Sequence, residues 1–342
     1  MKRLGNTLYV MTPEAWLTLD GETIVIKKEE ESSTRLPLHN LESIVCFTWQ
    51  GASPALMGAC AERNIGLSFL TPYGRFQARV TGRVQGNVLL RRKQFEVSQK
   101  EASVPIAASF LLGKISNCRK VLERAMRDHS MILDVKSLAS ASNILKETLR
   151  AISNCRTTAD LMGFEGSAAK AYFGVFDQLI LQQREAFFFT ERSRRPPLDN
   201  MNSLLSFLYT LLTSEAASAL ETVGLDPYVG FLHCDRPGRP SLALDLMEEL
   251  RPVMVDRLAL SLVNRKQITG KGFTTRESGG ILMDDDTRKA VLTAWQERKR
   301  EEVFHPYMKE KLPFGLLPHA QALLLARYLR GDLDAYPPFF WS

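Results

Sequence analysis

Three carboxylates lie in an apolar stretch, "SLALDLMEELRPVMV" (residues 241–255): Asp245, Glu248 and Glu249. On a helix they share one side, because positions i, i+3 and i+4 are neighbours. Leu242, Leu244, Leu246, Met247, Leu250, Val253 and Val255 cover most of the remaining circumference. Such a helix is expected to be buried, with a kink or an end at Pro252. Like charges this close raise one another's pKa unless a cation lies among them. Arg236, Arg239 or Arg251 is one kind of candidate for that cation, and a metal ion is the other. His233 precedes Asp245 by twelve residues, across the proline-bracketed loop "DRPGRP". Carboxylate oxygens with an imidazole nitrogen suit Mn²⁺, and Mg²⁺ accepts the oxygens better than the nitrogen. A salt-bridged helix edge beside a structural histidine is the alternative.

A further acid, Glu165, stands in "FEGSAAKAYF" among Gly163, Gly166, Ser167, Ala168, Ala169 and Ala171. Small residues let a helix approach a phosphate or another backbone closely. Glu165 can be read as a ligand or as an acid placed near a helix N-terminus, and the small residues as tight helix packing. Between the acids lies "REAFFFTERSRRPPLDNMNS" (184–203), with Arg184, Arg192, Arg194 and Arg195 beside Phe187, Phe188 and Phe189. Arginine with interleaved aromatics suits a phosphate backbone and unstacked bases, although three successive phenylalanines also suit a core anchor. Arg236 and Arg239 extend the same set of nucleic-acid candidates. Basic runs at 89–93, 114–127 and 264–272 spread positive charge further, each compatible with a solvated face. No G-x-S-x-G, P-loop or dinucleotide-binding motif occurs.

The elements that must position these residues fall into two regimes. Up to about Val80 the chain reads as short strands: "NTLYVM", "AWLTLDGETIVIKK" with a hairpin turn at Asp20-Gly21, "SIVCFT" and "RFQARV", interrupted by a helix at 53–64. Beyond that, no proline occurs between Pro105 and Pro196. Ile106, Phe110, Leu111, Cys118, Val121, Leu122 and Ala125 recur at helical spacing. The expectation is an α+β two-domain protein: a small β-rich N-terminal domain, residues 1–84, then a larger all-α catalytic domain, residues 85–342.

Lysine and arginine exceed aspartate and glutamate by 44 to 38 in 342 residues, a formal charge of +6 that favours polyanionic partners. The five cysteines are widely spaced, with no C-x-x-C pair, so neither a disulfide framework nor a thiolate zinc site is indicated. A reducing cytoplasm is expected. The N-terminus resembles no targeting segment, and no run of about 18 apolar residues suggests a membrane span.

Taken in order, "GNVLLRRKQ", "FEGSAAKAYF", "RRPPLDNMNSLLSFLYTLL", "GLDPYVGFLH" and "RPSLALDLMEELRPVMVDR" closely resemble the family of CRISPR-associated protein one. The C-terminal "HPYMKEKLPFGLLPHAQALLLARYLRGDLDAYPPFFW" resembles its subtype I-C branch. The likeness spans essentially the whole chain. It implies a metal-dependent endonuclease and integrase that inserts prespacer DNA into a CRISPR repeat array. The implied ligands of the divalent ion, Mn²⁺ or Mg²⁺, fall on Glu165, His233 and Glu248, with Asp245 the acid one turn earlier. Many family members carry aspartate where Glu248 stands, and Asn200 replaces a common proline. The resemblance also implies a homodimer formed largely through the β-rich domain. Two such dimers would flank a dimer of a small ferredoxin-like partner, CRISPR-associated protein two, in a heterohexamer on double-stranded DNA. A hydrolytic repair nuclease and a non-catalytic DNA-binding scaffold are the rival readings.

Overall fold

A computed structural model describes residues 5–12, 14–27, 33–71, 74–82 and 88–342. The chain divides into two compact units, Met1–Gln85 and Gly86–Ser342. The boundary expected at 84/85, and the first two residues of "GNVLLRRKQ", lie outside the described residues.

The first unit is built from two four-stranded sheets. Strands β1 (Asn6–Val10), β2 (Trp16–Asp20), β3 (Thr23–Lys27), β4 (Thr34–Pro37), β5 (Leu41–Cys46), β6 (Gly51–Ala52), β7 (Gly66–Leu70) and β8 (Phe76–Val80) are joined by helix α1 (Pro54–Glu62). One sheet runs β4-β3-β2-β6 and the other β1-β5-β7-β8. The β2–β3 hairpin turns at Gly21, whose φ of 57° is the left-handed conformation that the Asp-Gly signal anticipates. Ser53 caps α1 by accepting from the Leu56 N–H, and Pro54 occupies the first turn, where no N–H is needed. Leu17, Ile24, Ile44, Leu56, Cys60 and Leu67 meet in the core of this unit.

The second unit is mainly helical. Its helices are α2 (Val88–Ser98), α3 (Ser103–Asp128), α4 (Val135–Ile152), α5 (Thr158–Gly174), α6 (Asn200–Thr222), α7 (Ser241–Arg251), α8 (Arg257–Asn264), α9 (Asp285–Arg300) and α10 (Leu317–Arg330). It is not all-α, which corrects that expectation. Strands β9 (Phe273–Thr275) and β10 (Ile281–Met283) pair into one ribbon, and β11 (Glu302–His305) and β12 (Glu310–Pro313) into another. In β11 the inward residues Val303 and His305 alternate with exposed ones, the two-residue period of a strand. Such three- and four-residue pieces are too short to stand out from loop sequence.

Helix α7 lies against α3, α6 and α10, which accounts for its apolar circumference. Pro252 does not stop it. A π-type turn, Pro252–Asp256, absorbs the missing N–H and carries the chain directly into α8. Helix α6 is long and apolar enough to cross a membrane by composition, but 67% of its apolar window is packed inside the protein. That burial is the pattern of a core helix.

Candidate metal and DNA site

The three carboxylates of α7 have separate tasks. Asp245 is fully buried and serves the turn before its own helix: Oδ2 accepts the backbone N–H groups of Phe231 (2.7 Å) and Leu232 (3.0 Å). Its Oδ1 accepts the His233 N–H at 2.9 Å and lies 2.6 Å from His233 Nδ1. The turn wraps this closely because residue 230 is glycine, where a Cβ would stand 2.9 Å from Asp245 Oδ2 and 2.8 Å from the His233 carbonyl oxygen. Glu249 has other partners. It accepts from Gln321 Nε2, the Tyr336 hydroxyl and the Phe339 N–H, joining α7 to α10 and the C-terminal segment. Burial without a cation pushes the Glu249 carboxyl up to about 7.

Glu248 faces two cations. Its Oε2 lies 2.8 Å from Lys114 Nζ and 3.3 Å from Arg251 Nε, in ion-pair range of both but with no well-directed hydrogen bond from either. Burial raises the Glu248 pKa, and Arg251 and Lys114 outweigh it, holding the carboxyl down at about 2. Arg251, one of the three arginines proposed as partners, packs over the rings of Phe173 and Tyr209 at 5.7 and 5.6 Å. The other two do not reach the carboxylates: Arg239 donates to the Cys234 carbonyl, and Arg236 is exposed.

Glu165 comes from α5 and pairs with the same Lys114 ammonium. It sits in the middle of that helix rather than at its N-terminus, so the macrodipole does not account for it. Gly163 and Gly166 beside it are exposed, and a Cβ at either would meet nothing within 4 Å. These two glycines do not pack against protein and leave a bare helix face next to Glu165, whereas Ala168 is buried and does pack.

His233 completes the constellation. It is close enough to Glu248 for each to favour the charged form of the other. Burial lowers its pKa, and the Asp245 hydrogen bond with the charges of Asp245 and Glu248 more than compensate, so the proton is held more tightly than usual. The side chains of Glu165 and His233 are 33% and 28% exposed, Glu248 is 10% exposed and Lys114 only 1%. The site therefore has a polar, accessible rim and a buried cationic floor.

The donor chemistry fits a hard divalent cation. Two carboxylates converge, one with an oxygen lacking a directed hydrogen bond, and the Asp245 contact at Nδ1 leaves His233 Nε2 as the ligating nitrogen. The Lys114 ammonium pairs with both acids, and no group of three or more His, Cys, Asp and Glu stands in metal-holding distance among the described residues.

Of the candidate nucleic-acid residues, Arg194, Arg195 and Arg236 are exposed. Arg184 is exposed and paired with Asp177 at 2.6 Å. Arg192 is turned inward, donating to Asn202, Ser193 and Ser206 and lying over Tyr209, which ties the 184–203 loop to α6. Phe187 and Phe189 are buried while Phe188 is 47% exposed, so two of the three are core anchors. Asn200, where a proline was expected, holds the loop by donating to the Ala186 carbonyl at 2.8 Å.

Lys114 was missed, because it opens the basic run 114–127. Its surroundings carry the signal: Phe110, Leu111, Ile115, Cys118 and Val121 place it on the apolar stripe of α3.

Residues 8–297 match the family model described as CRISPR associated protein Cas1. A CRISPR-associated endonuclease Cas1 of Rhodospirillum rubrum is 54% identical over 346 residues, covering 100% of both chains. Among solved structures, a casposase bound to integration product superposes with a TM-score of 0.83 at 20% identity, over 98% of this chain and 94% of that one. A chain of a Cas6-RT-Cas1–Cas2 complex gives 0.79 at 23% identity, over 100% of this chain and 36% of that one.

Proposed function

The chain belongs to the CRISPR-associated Cas1 family, and on that premise we propose that it is a DNA endonuclease and integrase of CRISPR adaptation. Its divalent ion, Mn²⁺ or Mg²⁺, is assigned to Glu165, His233 and Glu248. The observation that carries this reading is the convergence of Glu165 and Glu248, from separate helices, on one positive charge beside an imidazole oriented by a buried carboxylate. Dependence on divalent metal is general among nucleases of this family.

When bound, the ion supplies Lewis-acid polarisation of the scissile phosphate and offsets the charge that develops there. Asp245 acts on His233, contacting Nδ1 and so fixing the ring and leaving Nε2 free to ligate. Arg251 holds Glu248 ionised. The bare face at Gly163 and Gly166 lets a DNA backbone approach Glu165. Exposed Arg194, Arg195 and Arg236 hold phosphates, giving strong salt dependence and weak sequence preference. Attack by a DNA 3′-hydroxyl joins strands, and attack by water cleaves them. Joining exchanges one phosphodiester for another and needs no ATP.

The partners assigned with this reading are prespacer duplex, CRISPR repeat DNA, a second copy of the chain docked through residues 1–84, and Cas2 in a heterohexamer. A cytoplasmic site of action and the subtype I-C branch go with them, the latter carried by the C-terminal sequence from His305 onward.

The test incubates the protein, with and without Cas2, with a short 3′-hydroxyl duplex and a supercoiled repeat-bearing plasmid in Mn²⁺, Mg²⁺ or EDTA. Joined products are expected only with metal, and Glu165→Ala, His233→Ala and Glu248→Ala should each lose them by at least about a hundredfold while still binding DNA. Cleavage without joining, with Cas2 present, would favour a repair nuclease. The absence of any metal-dependent product, with DNA binding intact, would favour a scaffold.

A further inference from the structure

Lys114 is a charged side chain 1% exposed, which is tolerated only where its charge is fully matched. It reaches the acids because α3 approaches α7 closely at Gly113, where a Cβ would stand 2.8 Å from Glu249 Cβ. Asn117, one turn further on, fixes that approach by donating to the carbonyls of Glu249 (2.7 Å) and Phe339 (2.9 Å). The stretch of α3 that carries the ammonium is thus fixed against α7. It pairs with Glu165 and with Glu248, the two carboxylates assigned to the metal.

We propose that Lys114 is a positioning residue that stands in for the divalent ion in the metal-free protein and competes with it for Glu165 and Glu248. Without a cation, two carboxylates from different helices would repel and part; the ammonium keeps them converged. A divalent ion that uses the same oxygens must displace the ammonium, and that cost weakens metal binding. Stability without metal is thereby gained at the expense of affinity. This inference rests on the metal assignment made above for Glu165 and Glu248.

Mn²⁺ titration of the full-length metal-free protein, followed by EPR at fixed pH and low salt, tests it without reference to activity. Lys114→Met is expected to melt at lower temperature without metal, to bind Mn²⁺ at least about tenfold more tightly than wild type, and to regain more stability on adding Mn²⁺. A residue that merely supports the fold would not tighten metal binding when removed. Equal or weaker Mn²⁺ binding by Lys114→Met with a native circular dichroism spectrum overturns the proposal. Should that variant fail to fold, Lys114→Gln, whose amide can bridge the acids without the charge, serves for the same comparison. Glu165→Gln and Glu248→Gln separate the two claims. If both leave Mn²⁺ affinity unchanged, the metal assignment itself fails. If they weaken it while the lysine variants do not tighten it, only the role of Lys114 fails.

Discussion

Asp245 shows how one side chain can organise a site it does not itself enter. Its two oxygens are occupied by three backbone N–H groups and an imidazole, so it has no lone pair to spare for a second task. Asp245→Asn keeps the shape but turns an NH₂ towards one of those donors. The expected outcome is a folded protein, destabilised by about 1–3 kcal/mol in chemical denaturation, with Mn²⁺ affinity and joining reduced roughly ten- to a hundredfold. An unchanged metal affinity would remove the orienting role. At this scale the sequence was informative about which acids to suspect and uninformative about which way each points. Asp245, Glu248 and Glu249 share one helix side in projection, yet they serve the preceding turn, the Lys114 floor and the C-terminal segment respectively. Helical spacing gives an angle about an axis; the partner is fixed by what the fold brings there, from 12–14 residues upstream for Asp245 and 72–90 residues downstream for Glu249. Lys114 was hidden for a related reason, since counting charge along a run cannot tell the buried member from its solvated neighbours.

Helix α7 is held from several sides by polar groups that its apolar sequence did not reveal. The turn following it places Asp256 where Tyr172 of α5 (3.1 Å) and Tyr209 of α6 (2.5 Å) both donate to it, so the helix carrying Glu165 is tied to the chain carrying Glu248. On its other side Glu249 anchors the C-terminal segment, whose Trp341 lies beneath Arg257 at 4.3 Å. Glu249 has a consequence for pH. Its folded-state pKa of about 7 lies above its ordinary value of 4.5, so the folded protein keeps that proton through a window where the unfolded chain loses it. The contribution is present in full below 4.5 and is lost as pH rises through 7. Thermal melting of wild type should therefore show a component of on the order of 1–3 kcal/mol falling between about pH 4.5 and 7, and Glu249→Gln should flatten it. Parallel slopes for the two proteins would contradict this. The β2–β3 hairpin, helix α1 and the helical period of α3 were legible from turn and period signals, while β4 and β7 were not singled out. The short β9–β12 ribbons, and the π-type turn that continues the chain past Pro252, were not, because each is decided by local pairing or packing rather than by pattern.

Across the molecule, a β-rich unit precedes a mainly helical one, and every residue assigned to chemistry belongs to the second. The net charge of +6 belongs to the whole chain, and in the helical unit its arginines are partly exposed and partly turned inward, such as half-buried Arg192 and buried Arg251, which serve the fold and the site. Charge on the page of a sequence therefore overstates the surface open to DNA. The triple variant Arg194→Ala/Arg195→Ala/Arg236→Ala is expected to weaken duplex binding about tenfold or more at low salt and to reduce the salt dependence, while leaving Mn²⁺ affinity as in wild type. An unaltered salt slope would place the phosphate contacts elsewhere.

Anomalous diffraction from a crystal soaked in Mn²⁺ tests the central claim most directly. A single strong peak is predicted between the carboxylates of Glu165 and Glu248 and the Nε2 atom of His233, with the Lys114 ammonium withdrawn from both acids. A fully loaded crystal with no peak there, or with Mn²⁺ bound elsewhere while Lys114 still bridges Glu165 and Glu248, would contradict the account.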